Sequence, residues 1–286
     1  MTSFDLKLGW AQDHLDWLNS EVSSWCSTES ERITDEPDPK PSHQQLAYAN
    51  ARHRRCIIDA DFGGVSDDFA LATGDCVHCL RASLDHLAMA LAESFTTCRL
   101  RRSMTAKEIE KSEFPIFWKG AMTPDQISSK IGCIDPAAQA VIQKLQPHHR
   151  GARYATHPLW RIHELDRIDK HRRLVLHDAW NTGQGKTGSI GFVFEPGDEA
   201  LIQLLQRSAL VFAQYPPALQ VKPGTVLCQY SVVVPDNAEV KMKPRIPLQV
   251  VFGKGEVLEL QPLIPTLQSL IDFVRNDVFP KLVRFL

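Results

Sequence analysis

The 286-residue sequence has no apolar run approaching the roughly 18 residues that a membrane-crossing helix requires. Its opening stretch, MTSFDLKLGW, lacks both a basic n-region and an apolar h-region, so it does not read as a secretory signal. An excess of either charge is missing too. Lys and Arg number 32 against 34 Asp and Glu, a formal net charge of −2, which disfavours a protein that coats nucleic acid through a global basic field. The seven cysteines, at 26, 56, 76, 79, 98, 133 and 228, are odd in number and without framework spacing; reduced thiols in a cytoplasm are the expectation. Nucleophile-elbow, P-loop and GxGxxG signatures are absent. GQGKTG at 183–188 has glycines and a lysine without P-loop spacing, and reads as a hairpin turn. What remains is an ordinary globular composition, 43% hydrophobic and 23% charged, long enough for one large or two modest domains.

The longest helical reading runs from Ser66 to Glu93, SDDFALATGDCVHCLRASLDHLAMALAE, with no proline inside it. Ser66 is placed to cap it, and Asp67 and Asp68 fall in the first turn, where carboxylates complement the helix dipole. At about 100° per residue, Val77, Leu80, Leu84, Leu87, Ala88 and Leu91 form one apolar stripe. Asp75, His78, Arg81, Asp85 and His86 fall in a separate arc of about 140°. Five ionisable side chains therefore share one face.

Around this helix, residues 4–25 read as an amphipathic N-terminal helix, and TESERITDEPDPKP (28–41), with three prolines, as a linker or exposed loop. The HQQLAYANARHRR stretch is ambiguous; a strand is favoured around Arg54 to Asp61, ended by Gly63-Gly64. Thr123-Pro-Asp-Gln126 fits a capping box, Asp135-Pro136 opens another helix, and Pro158 starts a third that runs to Arg173 with a cationic end. From Leu174 the texture changes to short β-like runs (RLVLHDAW, SIGFVFE, ALVFAQY, TVLCQYSVVV, IPLQVVFG), and the chain closes with an apolar helix interrupted at Pro280. The expected class is α+β: an N-terminal and central helical core, then a C-terminal antiparallel sheet and a terminal helix. The linear division expected is 1–35 for the N-terminal helix and linker, 42–173 for the helical core and 174–286 for the β-rich region.

Arg81-Ala-Ser-Leu-Asp-His86 is an R-x4-H motif on a helix. Such a pair suits phosphodiester cleavage: a histidine near its ordinary pKa of about 6.5 moves the proton, and an arginine holds the phosphate. The motif resembles that of the HEPN superfamily, whose ribonucleases carry R-x4–6-H and often assemble the site across a homodimer. The resemblance implies metal-independent RNA cleavage by Arg81 and His86, with RNA and a second copy of the chain as partners and no cofactor. Ala82 departs from the polar residue common after the arginine. A broader span, GDCVHCLRASLDHLAMALA followed by FPIF, LQPHH and HPLWRIHELDRIDKHRRL, resembles a family of uncharacterised bacterial proteins with a GDxxHxLRSALDHLA core and a downstream DKHR.

A second polar group of the same character, Asp169, Lys170 and His171, lies on the Pro158 helix. Packed against the first, it would let Asp75, His78, Arg81, Asp85, His86, Asp169, Lys170 and His171 line one pocket. In the catalytic reading His86 is the acid/base, Arg81 the phosphate ligand, and Asp85 and His78 orienting groups. The alternative is a non-catalytic ligand-binding or regulatory protein whose polar face is an ion-pair network or interface, since pairs such as Arg81 and Asp85 are worth about 0.2–0.5 kcal/mol locally. Cys76, His78, Cys79, His163 and Asp166 carry metal-ligating types but lack a second pair at ligand spacing, so no metal is expected. Arg52-His-Arg-Arg55, Arg99-Leu-Arg-Arg102 and His148-His-Arg150 are basic clusters that could touch RNA phosphates or lie solvated.

Overall fold

The computed structural model describes residues 2–30, 33–59, 64–180, 191–193, 210–214, 224–233, 243–245 and 248–286. The GQGKTG turn and Gly63 lie outside the described residues, as do the ends of several of the expected strands. The fold is α+β, and its contacts divide the chain into two units: residues 1–20, 66–176 and 252–286, and residues 21–65 and 177–251. That grouping cuts across the linear division read from the sequence, because a helical block is inserted between strands that pair with each other.

In the first unit Ser66 caps α3 (Asp67–Cys98), its hydroxyl accepting the Asp68 N–H at 3.2 Å. Every member of the stripe from Val77 to Leu91 is buried, and the buried hydroxyls of Thr73, Ser83 and Thr96 donate to carbonyls of their own helix. The early part of α1 (Ser3–Ser30) lies against it: Cys76 Sγ donates to the Ala11 carbonyl at 3.3 Å, and Trp17 meets Phe69 edge-on. α4 (Ala106–Lys111) and α5 (Pro124–Ile131) both begin with complete capping boxes, at Thr105 and at the expected Thr123. α6 (Pro136–Lys144) starts from Asp135.

α7 (Pro158–Asp169) is capped by His157, whose Nδ1 accepts the Leu159 N–H at 3.2 Å. It ends four residues before the expected Arg173, with Lys170 as its cap. α7 packs on α3 and on α8 (Leu263–Phe273), and its Leu159, Ile162 and Leu165 are buried. Pro280 interrupts the terminal helix as read: a wide π-type turn at Val274–Val278 precedes α9 (Phe279–Leu282), because proline has no N–H to continue the ladder.

The second unit holds an antiparallel sheet in the order β1-β2-β6-β5, from β1 (Ile33–Pro37), β2 (Arg52–Ile58), β6 (Val226–Val232) and β5 (Leu210–Gln214). Two further pairs join β3 (Leu176–Trp180) to β8 (Leu248–Phe252) and β4 (Gly191–Val193) to β7 (Lys243–Arg245). The proline-rich stretch expected to be a linker is thus partly a strand. Its registration comes from charge. Asp35 accepts Arg54 Nε at 2.7 Å and the Tyr230 hydroxyl at 2.7 Å, and Glu36 pairs with Arg55. HQQLAYANARHRR contributes only one helical turn, α2 (His43–Leu46), capped by Ser42, and then β2. No helix among the described residues is long and apolar enough to cross a membrane.

Candidate functional site

The polar arc of α3 borders α7, and Gly74 marks where they touch. A Cβ on residue 74 would come within 2.5 Å of Asp169 Cγ and 2.6 Å of Oδ2, so only glycine lets the α7 carboxylate sit against the α3 backbone. Beside it, Asp166 on α7 is 5% exposed and has two basic side chains against it: Lys170 Nζ donates to Oδ2 at 2.6 Å, and His78 Nδ1 lies 3.3 Å from Oδ1. Burial raises the Asp169 carboxyl above its ordinary range, reinforced by the charges of Asp75 and Asp166 and opposed by those of His78 and Lys170. Asp75, His78, Asp166, Asp169 and Lys170 therefore occupy one neighbourhood, with Asp75, His78 and Lys170 at its exposed rim.

Two turns along α3, Arg81 is only 9% exposed. Its Nη2 donates to Asp85 Oδ1 at 2.8 Å and to the Phe114 carbonyl at 2.9 Å, while the Phe114 N–H donates to the same Asp85 oxygen at 2.9 Å. This closes a ring between helix and loop. The same loop is fixed from its other side by buried Gln146, whose Nε2 donates to the Pro115 carbonyl and whose Oε1 accepts the Phe117 N–H. Burial raises the Asp85 carboxyl above its ordinary range; Arg81 and the Phe114 N–H pull the other way and do not prevail. His163 on α7 stacks on Trp118 at 5.1 Å and is pushed below the usual histidine range by burial and then by the Arg81 charge.

Of the eight residues expected to line one pocket, α3 and α7 bring Asp75, His78, Asp169 and Lys170 together, and Arg81 with Asp85 a little further along. Two stay apart. His171 lies past the shortened helix, exposed, with only its backbone bonded to Ile168. His86 is half-buried, its Nδ1 has no hydrogen-bond partner among the described residues, and no bond joins it to Arg81. Arg81 Nη1 is likewise buried without a partner. Sequence reasoning treated Asp166 only as a candidate metal ligand and passed over Gly74 and the Phe114 backbone. The signal for the first was an acid next to the apolar Ile162 and Leu165 with a lysine four residues on; for the second, a glycine in mid-helix.

Among the described residues, no three His, Cys, Asp or Glu side chains gather so as to hold a metal ion. Of the basic clusters, Arg54 and Arg55 are paired to Asp35 and Glu36, and Arg102 to Glu108. A cavity of about 440 Å³ lies beside α4 and α5, lined by Arg102, Glu108 and Cys133 among others, and none of its walls belongs to the α3–α7 seam. No protein-family model, curated protein or solved structure matches the chain.

Proposed function

We propose that this is a non-catalytic binding or regulatory protein, in which the polar face of α3 is an internal ion-pair network that fixes α7 and the 113–118 loop. The observation that carries this reading is the engagement of Arg81: a guanidinium 9% exposed and held by Asp85 and the Phe114 carbonyl is not presented to a phosphodiester. A phosphate would have to displace both partners and leave the half-buried Asp85 charge without its cation, which is costly. The thiols of Cys56, Cys76, Cys79, Cys98, Cys133 and Cys228, none of them in a disulfide, support placing the protein in a reducing compartment such as the cytoplasm.

A second reading, the HEPN-like ribonuclease with Arg81 and His86 as its pair, draws on one specific feature. Arg81 Nη1 and His86 Nδ1 are both buried and without partners, leaving hydrogen-bonding capacity that a ligand or a second copy of the chain could use. The discriminating experiment is incubation of mixed single-stranded and transfer RNA with purified protein in EDTA, beside Arg81→Ala and His86→Ala variants checked for folding. The binding reading expects no cutting, or equal cutting by all three preparations. Cutting that disappears in both folded variants would replace it with the ribonuclease.

A further inference from the structure

Between α6 and α7 the sequence HHRGARYATHPLWR folds as a tight 3₁₀ turn, Pro147–Thr156, leading into α7. Gly151 reverses it with φ of +53°, a conformation that side chains disfavour. The reversal brings Arg150 back onto Thr156, with Nη1 2.8 Å from the carbonyl and 3.0 Å from the hydroxyl; Arg161 from the first turn of α7 places Nε 3.3 Å from the Ala155 carbonyl. Two guanidinium groups are thereby anchored on consecutive carbonyls, their remaining N–H groups without a partner among the described residues. Exposed Arg153 lies on the same turn and makes no side-chain bond among the described residues. None of the three arginines is in an ion pair with a carboxylate among the described residues, which sets them apart from Arg54, Arg55, Arg102 and Arg167.

Holding like charges together without a counter-charge is unfavourable in the free protein, and an anion bridging them removes the cost. Arg161 is lowered from the ordinary arginine range by burial and then by the charge of Arg150. Next in the chain to Arg153 and Arg161, Tyr154 and Trp160, both half-buried, meet edge-to-face with ring centroids 5.5 Å apart. Arginines interleaved with partly exposed aromatic rings suit a strand whose bases are unstacked and free, not a duplex, which hides them.

We infer that this turn and the start of α7 bind single-stranded RNA, phosphates on Arg150, Arg153 and Arg161 and a base against the Tyr154 and Trp160 pair. The inference deepens the binding reading and rests on it; RNA is favoured over DNA because sequence-accessible single strands, loops and ends are the ordinary form in which RNA is recognised. The site is apart from the Arg81 network, so the two can fail separately.

The test is fluorescence anisotropy of a labelled RNA of about twelve nucleotides with the full chain in EDTA, between about 50 and 200 mM salt. Wild type should bind with a steep salt dependence. The Arg150→Gln/Arg161→Gln double variant should weaken binding about tenfold and lower the log–log salt slope by about 1.4, at about 0.7 per phosphate contact. Arg153→Gln, which removes no bond of the fold, should lower it by about 0.7, and Trp160→Phe should retain binding that Trp160→Leu loses. No binding by wild type would overturn the inference, as would unchanged affinity and slope in both arginine variants, or displacement of the RNA by equimolar AMP. Gels of the same samples separate the two readings. Arginine-dependent binding of intact RNA supports both; arginine-dependent binding with cut RNA keeps this surface and sinks only the non-catalytic reading.

Discussion

Replacing Gly74 with alanine should reverse sign according to what residue 169 carries. In the middle of a helix, Gly→Ala is worth about 1 kcal/mol of stability through backbone entropy alone. Against that, the added Cβ would sit within 2.5 Å of Asp169 Cγ and closer still to Oδ1. The half-buried carboxylate, beside Asp75 and Asp166, would have to turn aside, and overpacking of this kind costs about 1–3 kcal/mol. Gly74→Ala should therefore destabilise the wild type by up to about 2 kcal/mol. In an Asp169→Ala background the obstruction is gone and the same substitution should stabilise by about 1 kcal/mol. Urea unfolding followed by far-ultraviolet circular dichroism gives all four stabilities of the cycle. Stabilisation by about 1 kcal/mol in both backgrounds would refute the close approach of α3 and α7 at this point.

His157 and the cysteines give two further predictions. Burial, with the charges of Arg150 and His149, lowers the His157 pKa from 6.5 to about 4, so folding favours the neutral ring whose Nδ1 caps α7. That contribution is complete above pH 6.5 and is lost as pH falls towards 4, by about 3 kcal/mol in all; in pH-dependent unfolding, His157→Asn, which keeps a capping oxygen but does not titrate, should be less acid-sensitive by about that amount, and equal sensitivity would contradict the assignment. Burial pushes the thiols of Cys26 and Cys76 up to about 11 and about 12, whereas Cys98 is exposed; a thiol reagent at pH 8 should show a fast phase that Cys98→Ser removes, and fast reaction of Cys76, read by mass spectrometry of the folded protein, would count against the packing of α1 on α3.

Local rules reached much of the helical unit from sequence. The Ser66 cap, the Thr123 capping box, the prolines opening α6 and α7 and the break before Pro280 are signals carried by a few adjacent residues, and each is where it was read. β1 escaped because ITDEP has a single buried apolar residue, Ile33; what holds it is Asp35 and Glu36 meeting Arg54 and Arg55 across the sheet, and an apolar alternation cannot register that. The end of α7 was overrun for a similar reason. Cations at 170–173 suit a helix terminus at any of those positions, and the earlier stop removes His171 from the face. Within the site, the Arg81–Asp85 pair is local and was legible at four-residue spacing. Its burial was not, because that depends on the Phe114 backbone, 29 residues beyond Asp85, and on a loop tied down by Gln146. Asp166 reads from sequence only as a metal-ligating type, because its neighbour His78 lies 88 residues away on α3.

Whether Arg81 and Asp85 form an internal bracket is measured most directly by their coupling in a double-mutant cycle of Arg81→Met and Asp85→Asn by equilibrium unfolding. An exposed helical pair at this spacing contributes about 0.3–0.5 kcal/mol, and hydrogen bonds to buried charged groups contribute about 1.5–3 kcal/mol. With side-chain exposures of 11% and 32%, the bracket should show a coupling of about 1–3 kcal/mol, with Arg81→Met alone clearly destabilising. A coupling below about 0.5 kcal/mol, with Arg81→Met as stable as wild type, would mean that the guanidinium is held in readiness for something other than the fold.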